Sequence, residues 1–255
     1  MNNTSHKYSF IAKSPTTLHL GGLEATLLLA NKAKICKTSK ILDAGCGAGH
    51  SSAFLAKKFD CQVFGIDHAI ENINQAKYIY QKLPKESVNF SLGNINKLDF
   101  SDNYFDVIMC ESVLLFIKNK SQAFKELHRV LKPNGYICIN NIVLIGDNQQ
   151  EIQTFLKTQF SLYLENKDVY EKLFTKFKFK TTLYTEETLN IKGWLNAIMP
   201  NIFEQSGLLS LLELGHILFT NQSEQQKFID FTKLCFSNKK YLLNNLNFVM
   251  TVIKK

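Results

Sequence analysis

Between residues 40 and 145, short apolar runs alternate with longer stretches whose apolar positions recur every three or four residues. Ile41-Leu42-Asp43-Ala44 is the first short run and leads into glycines. Ser51 to Phe59 has helical spacing, with Phe54 and Leu55 directed inward. Gln62 to Ile66 predicts a second strand, and Ala69 to Leu83 a helix that closes ahead of Pro84. Val88 to Leu92 alternates with period two, and Phe105 to Cys110 is strongly apolar. Ser121 to Leu131 places Phe124, Leu127, His128 and Leu131 on one helical face. Lys132-Pro133-Asn134-Gly135 then predicts a turn, because proline ends a helix and glycine permits positive φ. Tyr136 to Ile145 is the fifth strand. Repetition of strand and helix predicts a parallel sheet covered by helices on both faces.

After residue 145 the rhythm changes. Glu151 to Phe174 predicts one long helix, with Ile152, Phe155, Leu156, Phe160 and Tyr163 on one side. Lys176-Phe177-Lys178-Phe179-Lys180 alternates with period two and predicts a half-exposed edge strand. Phe177 to Tyr184 is the preferred sixth strand and Gly207 to Leu218 the alternative. Residues 186 to 245 read as mostly helical, broken near Pro200 and Gly207, and Asn247 to Ile253 is the last strand. With no internal repeat and no low-complexity linker, the helical material predicts a cap on one domain rather than a second domain.

Composition narrows the function classes. Of 255 residues 45% are hydrophobic, 20% are charged and 20 are Phe, which excludes disorder for most of the chain. The longest apolar runs, such as Val113 to Ile117, fall far short of the ~18 residues that a membrane span needs. The first seven residues, Met1 to Lys7, lack an apolar leader pattern, so a cytoplasmic protein is expected. The net charge of +8 hints at nucleic acid, yet only Arg129 among the 30 basic residues is Arg. Readers of phosphate and bases lean on the bidentate Arg fork, so a nucleic-acid partner is disfavoured. The abundance of Lys together with 23 Asn fits an A-rich coding sequence instead. Six Cys show no paired zinc-ligand spacing; no metal is expected, and buried reduced thiols are.

The chemistry concentrates at Asp43-Ala44-Gly45-Cys46-Gly47-Ala48-Gly49, which joins the first strand to a helix. Glycines there let backbone approach a ligand closely, and the helix start offers free N–H groups. Asp67 ends the second strand 18 residues after Gly49, where a carboxylate can accept both hydroxyls of a ribose. The dinucleotide fingerprint G-x-G-x-x-G fails in either register, because its third glycine falls on His50 or Ser52. That argues against a nicotinamide-dependent oxidoreductase.

These residues resemble the class I S-adenosylmethionine-dependent methyltransferases, in particular the small-molecule branch with the quinone-ring and sterol C-methyltransferases. Ile41 to Gly49 is similar to that family's first motif, and Gly65-Ile66-Asp67-His68-Ala69 to its ribose-binding acidic loop. Phe105 to Ser112 is similar to its fourth strand and following loop, and His128 to Gly135 to the turn before strand five. The resemblance covers the first 145 residues well and the rest only as cap and closing strands. It implies a Rossmann-like, doubly wound α/β sheet of seven strands, the last antiparallel, with a helical cap. Residues 1–34 would form a helical segment over the cofactor, 35–145 the binding core, and 146–255 the cap with the closing strands.

The resemblance further implies that Gly45, Cys46 and Gly47 line the methionine end of S-adenosylmethionine, with Gly49 a further cofactor-binding position. Asp43 would orient its amino group, Asp67 the ribose, and His68 would pack beside the adenine. Gly93, Asn94 and Ile95 would hold the adenine, and Glu111 and Ser112 would lie under the sulfonium. The family usually has Asp where this chain has Asn94; an Asn carbonyl oxygen still accepts from an adenine amino group. Leu18 to Thr26 echoes relatives with a Gly-Gly turn that folds over the cofactor, which makes His19, Gly21, Gly22 and Thr26 further candidates.

Methyl transfer from a sulfonium is an in-line displacement that needs alignment more than acid–base help. No catalytic residue is therefore assigned. His19, Glu111 and His128 are candidate bases, although His128 also reads as a helix residue packed on the sheet. Phe155, Phe160, Tyr163, Tyr170, Phe174, Trp194, Phe203 and Phe219 make the cap aromatic, and His216 lies in it. The expected activity is methyl transfer to a small, partly apolar molecule, with S-adenosylhomocysteine as product. The alternatives are an RNA methyltransferase, suggested by the Lys-Phe alternation, and a non-catalytic cofactor binder, suggested by Asn94.

Overall fold

The computed structural model describes His19 and residues 21–147, 149–188 and 246–255. Helix α1 (Gly22–Lys32) precedes a run of strands and helices: β1 (Lys40–Ala44), α2 (His50–Phe59), β2 (Gln62–Asp67), α3 (Ile70–Ile79), β3 (Val88–Leu92), β4 (Phe105–Glu111), α4 (Lys120–Val130) and β5 (Leu131–Leu144). Helices α5 (Gln149–Phe160) and α6 (Lys167–Lys176) follow, and then β6 (Lys180–Thr188) and β7 (Leu246–Lys254). The seven strands form one sheet in the order β3-β2-β1-β4-β5-β7-β6. Strands β1 to β5 pair in parallel, and β7 runs antiparallel to both β5 and β6. The Rossmann-like sheet with an antiparallel last strand is therefore present.

Side chains alternate across each strand, and the two faces make separate cores. Leu42, Ile66, Ile108, Cys110, Ile139 and Val143 pack with Phe124, Tyr170 and Phe174 on the side of α4 and α6. Ile41, Val63, Val107, Met109 and Cys138 pack with Leu29, Leu55 and Ile73 on the side of α1, α2 and α3. By the same alternation Asp43, Asp67, Glu111 and Asn140 share the parity of this second set. Each lies in the C-terminal half of its strand, on one face.

The sequence reading needs correction in four places. The helix expected to reach Leu83 ends at Ile79, and Leu83 N–H donates to the Tyr80 carbonyl in a turn ahead of Pro84. A residue before proline is driven out of the helical region. The Lys132–Gly135 turn lies within β5: Phe105 pairs with Leu131 but Val107 with Tyr136, so the turn is a bulge, with Asn134 at φ 65. The single helix expected over Glu151 to Phe174 is two. Ser161, at φ 56, ends α5 by donating its N–H to the Lys157 carbonyl, a left-handed cap. The Asn166 side chain accepts from Val169 N–H at 3.1 Å and starts α6.

The fourth correction concerns Lys176–Lys180. Lys176 ends α6, residues 177–179 turn, and the sixth strand starts only at Lys180, where it is a sheet edge. The sixth strand is thus Lys180–Thr188 rather than Phe177 to Tyr184. The Phe177 ring stacks on Phe124 and Phe179 meets it edge-on. The alternative sixth strand, His216, Trp194, Phe203 and Phe219 lie outside the described residues.

Candidate functional site

In an open α/β sheet ligands bind beyond the C-terminal ends of the strands, where the strand order reverses. Here that point lies between β1 and β4. Four segments meet there: the loop from β1 to α2, the end of β2, the segment after β3 and the end of β4.

Asp67 organises the first three. One carboxylate oxygen accepts from Gly47 N–H at 3.0 Å and the other from Ala69 N–H at 2.9 Å. Its backbone carbonyl accepts from Gly93 N–H at 2.9 Å, which holds the 93–95 segment alongside. Gly45 and Cys46 both donate their N–H to the Ile66 carbonyl. The glycine loop is therefore tied to β2. A side chain built at Gly47 would meet nothing within 4 Å, so the loop faces open space there. Each Asp67 oxygen keeps a second acceptor direction. Half-exposed His68 places Nδ1 3.5 Å from Asp67.

A buried polar group lies on the same face. Asp43 accepts from the Ser52 hydroxyl at 2.6 Å. Glu111 accepts from the Thr26 hydroxyl, 3.1 and 3.0 Å from its two oxygens. His19 Nδ1 is 3.6 Å from Glu111, and its Nε2 is 3.1 Å from the Ser51 hydroxyl. Asn140 Nδ2 lies 3.4 Å from His19 Nδ1. The positive φ of Gly21 turns the chain so that Gly22 N–H reaches the His19 carbonyl, setting His19 over the strand ends. Burial pushes the carboxyls of both Asp43 and Glu111 up to about 7. The Ser52 hydroxyl opposes the rise at Asp43, and Thr26, Asn140 and Ser51 oppose it at Glu111. Among the described residues no Lys or Arg pairs with Asp43, Asp67 or Glu111. A bound cation would meet Asp43 and Glu111, whose carboxyls burial holds close to their ionisation point.

The other candidates scatter more. Cys46 is buried against Gly65, and burial raises its thiol well above the ordinary range. Exposed Asn94 uses its side-chain oxygen to accept from Asn96 N–H at 2.9 Å, while the Ile95 side chain anchors the segment in the core with Ile66 and Leu98. Ser112, at φ 56, donates its N–H to the Asn140 carbonyl at 2.7 Å and turns the chain away from β4. His128 packs against Phe177 and Phe179 on the far side of the sheet, and burial lowers its basicity. Its packed reading is the one the structure shows. Sequence reasoning missed Ser51, Ser52 and Asn140. The first two occupy the opening turn of α2, which was the available signal; Asn140 lies inside an apolar strand and gave none.

A family model described as a methyltransferase domain matches residues 35–206. The chain belongs to that family. It is 35% identical over 121 residues to phosphoethanolamine N-methyltransferase 3 of Arabidopsis thaliana, covering 48% of this chain and 24% of that protein. It is 30% identical over 117 residues to the sterol 24-C-methyltransferase of Saccharomyces cerevisiae, covering 46% and 30%. The match thus spans less than a third of either relative. The fold superposes on Haemonchus contortus phosphoethanolamine N-methyltransferase 2, solved with S-adenosyl-L-methionine, with a TM-score of 0.77 and 19% identity. That superposition covers 99% of this chain and 57% of that one.

Proposed function

We propose that this methyltransferase-family chain moves a methyl group from S-adenosylmethionine to a small, partly apolar molecule. The observation that carries the reading is the glycine loop pinned to Asp67 beside two buried carboxyls, with open space at Gly47. Asp67 accepts the ribose hydroxyls, and Gly45, Cys46 and Gly47 bound the methionine end, with Gly49 closing the cofactor loop. Asp43 orients the amino group through its Ser52-anchored carboxyl. Gly93, Asn94, Ile95 and His68 flank the adenine, and Glu111 and Ser112 lie on the sulfonium side. The cofactor supplies an activated methyl; the protein aligns the acceptor and excludes water. The fit is electrostatic as well, since a ligand with ammonium and sulfonium charges meets carboxyls that no Lys or Arg among the described residues pairs with.

Of the three base candidates, His19, held between Glu111 and Ser51, and Glu111 itself lie on the site's own face, and His128 does not. Residues 149–176, with Phe155 and Tyr163, supply the acceptor side. The RNA alternative loses its motif, because Phe177 and Phe179 are packed against Phe124 rather than displayed on a strand. Among the described residues no helix is long and apolar enough to cross a membrane. The free thiols of Cys46, Cys61, Cys110 and Cys138, all buried, support a reducing cytoplasmic setting.

The test is incubation with methyl-labelled S-adenosylmethionine and fractionated cell extract. Label in the small-molecule fraction is expected. Label in RNA alone, or none in any fraction while the cofactor binds, overturns the reading.

A further inference from the structure

Asn140 and Asn141 are neighbours on β5 that serve opposite faces of the sheet. Asn140 joins the cluster around His19 and Glu111. Asn141 lines a cavity of about 170 Å³ between α6 and the β5-β7-β6 part of the sheet. The residue is 1% exposed and donates its amide N–H to the Tyr170 hydroxyl at 2.7 Å. Its carbonyl oxygen is buried and has no hydrogen-bond partner among the described residues. An unpaired buried acceptor costs on the order of 1–3 kcal/mol, so its place in a cavity wall asks what satisfies it.

The rest of the wall is selective. Ile139, Val143, Phe174 and Val249 give it an apolar body. At the rim Lys167 and Glu171 lie 3.7 Å apart and offset each other's charge, and Lys167 also sits 4.4 Å over the Tyr184 ring. A site with no net charge, a largely apolar wall that adds the hydroxyls of Thr181 and Thr251, and one unpaired buried acceptor suits a neutral ligand with one donor. In size, an apolar cavity of about 150 Å³ holds one benzene.

We infer that this cavity is a second binding site, separate from the strand-end cleft, for a neutral single-ring molecule bearing one O–H or N–H donor aimed at the Asn141 carbonyl oxygen. Binding here is independent of the proposed methyl transfer, since the two sites use opposite faces of the sheet.

Phenol and toluene are the probes, titrated calorimetrically into the full chain. Phenol is expected to bind at least tenfold more tightly than toluene. The Asn141→Leu variant is expected to reverse that order, and Val143→Phe, which fills the cavity, to abolish binding of both. Glu111→Gln, on the opposite face, is expected to leave both affinities unchanged. If Asn141→Leu does not fold, the wild-type preference and its loss in Val143→Phe decide. Equal affinity for the two probes, binding of neither, or phenol binding that survives Val143→Phe overturns the proposal; the last two results would leave waters alone to satisfy Asn141.

Discussion

Glu111 shows how burial sets the chemistry of a single residue. With its carboxyl pushed up to about 7, it is mostly neutral at pH 6 and mostly ionised at pH 8. A sulfonium is attracted only to the ionised form. The preference for S-adenosylmethionine over its uncharged-sulfur product is therefore expected to grow by up to about tenfold between these pH values. In Glu111→Gln that growth should vanish. Calorimetric titrations of both ligands at the two pH values measure it, and a preference that ignores pH in the wild type would contradict the assignment of Glu111 to the sulfonium side. Residue-level legibility was uneven. Asp43 and Asp67 could be read because each lies at the C-terminal end of an apolar strand and together they bracket the glycines. Asn140 could not, because its role depends on α1 bringing Thr26 and His19 across the sheet, a contact between residues more than a hundred positions apart.

At the scale of elements, the β1–α2 connection should resist substitution. Gly49 holds φ 82, and a Cβ there would come within 2.5 Å of the Phe90 ring. Gly49→Ala combines a left-handed penalty of about 1–2 kcal/mol with that overlap. The expected result is a clearly lowered Tm together with weakened cofactor binding; an unchanged Tm would show that the loop is not held as described. Asn119 caps α4 by accepting from Gln122 N–H at 3.0 Å, and Asn119→Ala should cost about 1 kcal/mol in denaturant unfolding without affecting the site. Strands β1 to β4 were legible to within a residue because apolar runs bounded by glycine or polar turns leave little choice of register. The split between α5 and α6 was not, since Ser161 adopts a conformation that its type does not announce. Period-two alternation at Lys176–Lys180 misled for a related reason. Phe177 and Phe179 enter one core from a turn, and a strand would also have put residues two apart on one face, so the pattern did not tell the two apart.

For the whole molecule, the two raised carboxyls link folding to pH. Asp43 and Glu111 are pushed to about 7, above the ordinary 3.8 and 4.5, so the folded state holds protons that the unfolded chain has released. Their contribution to stability is full below pH ~4 and falls as pH rises toward and through 7. Denaturant unfolding of the ligand-free protein at pH 5 and pH 7.5 should show this decline, and the Asp43→Asn, Glu111→Gln double variant should flatten it. Strand β7 closes the structure at the same scale. It lies between β5 and β6, so removing residues 246–255 would leave two open strand edges and is expected to abolish the soluble fold. The central claim is that the loop from Gly45 to Gly49 and Asp67 together form the binding site of an S-adenosylmethionine-dependent enzyme. Calorimetric titration of the full chain with S-adenosylhomocysteine, wild type beside Asp67→Ala, tests it most directly. One saturable site in the wild type, weakened about a hundredfold in the variant as two hydrogen bonds to a carboxylate are lost, is the predicted result. No binding at millimolar ligand, or equal binding by the two proteins, would contradict it.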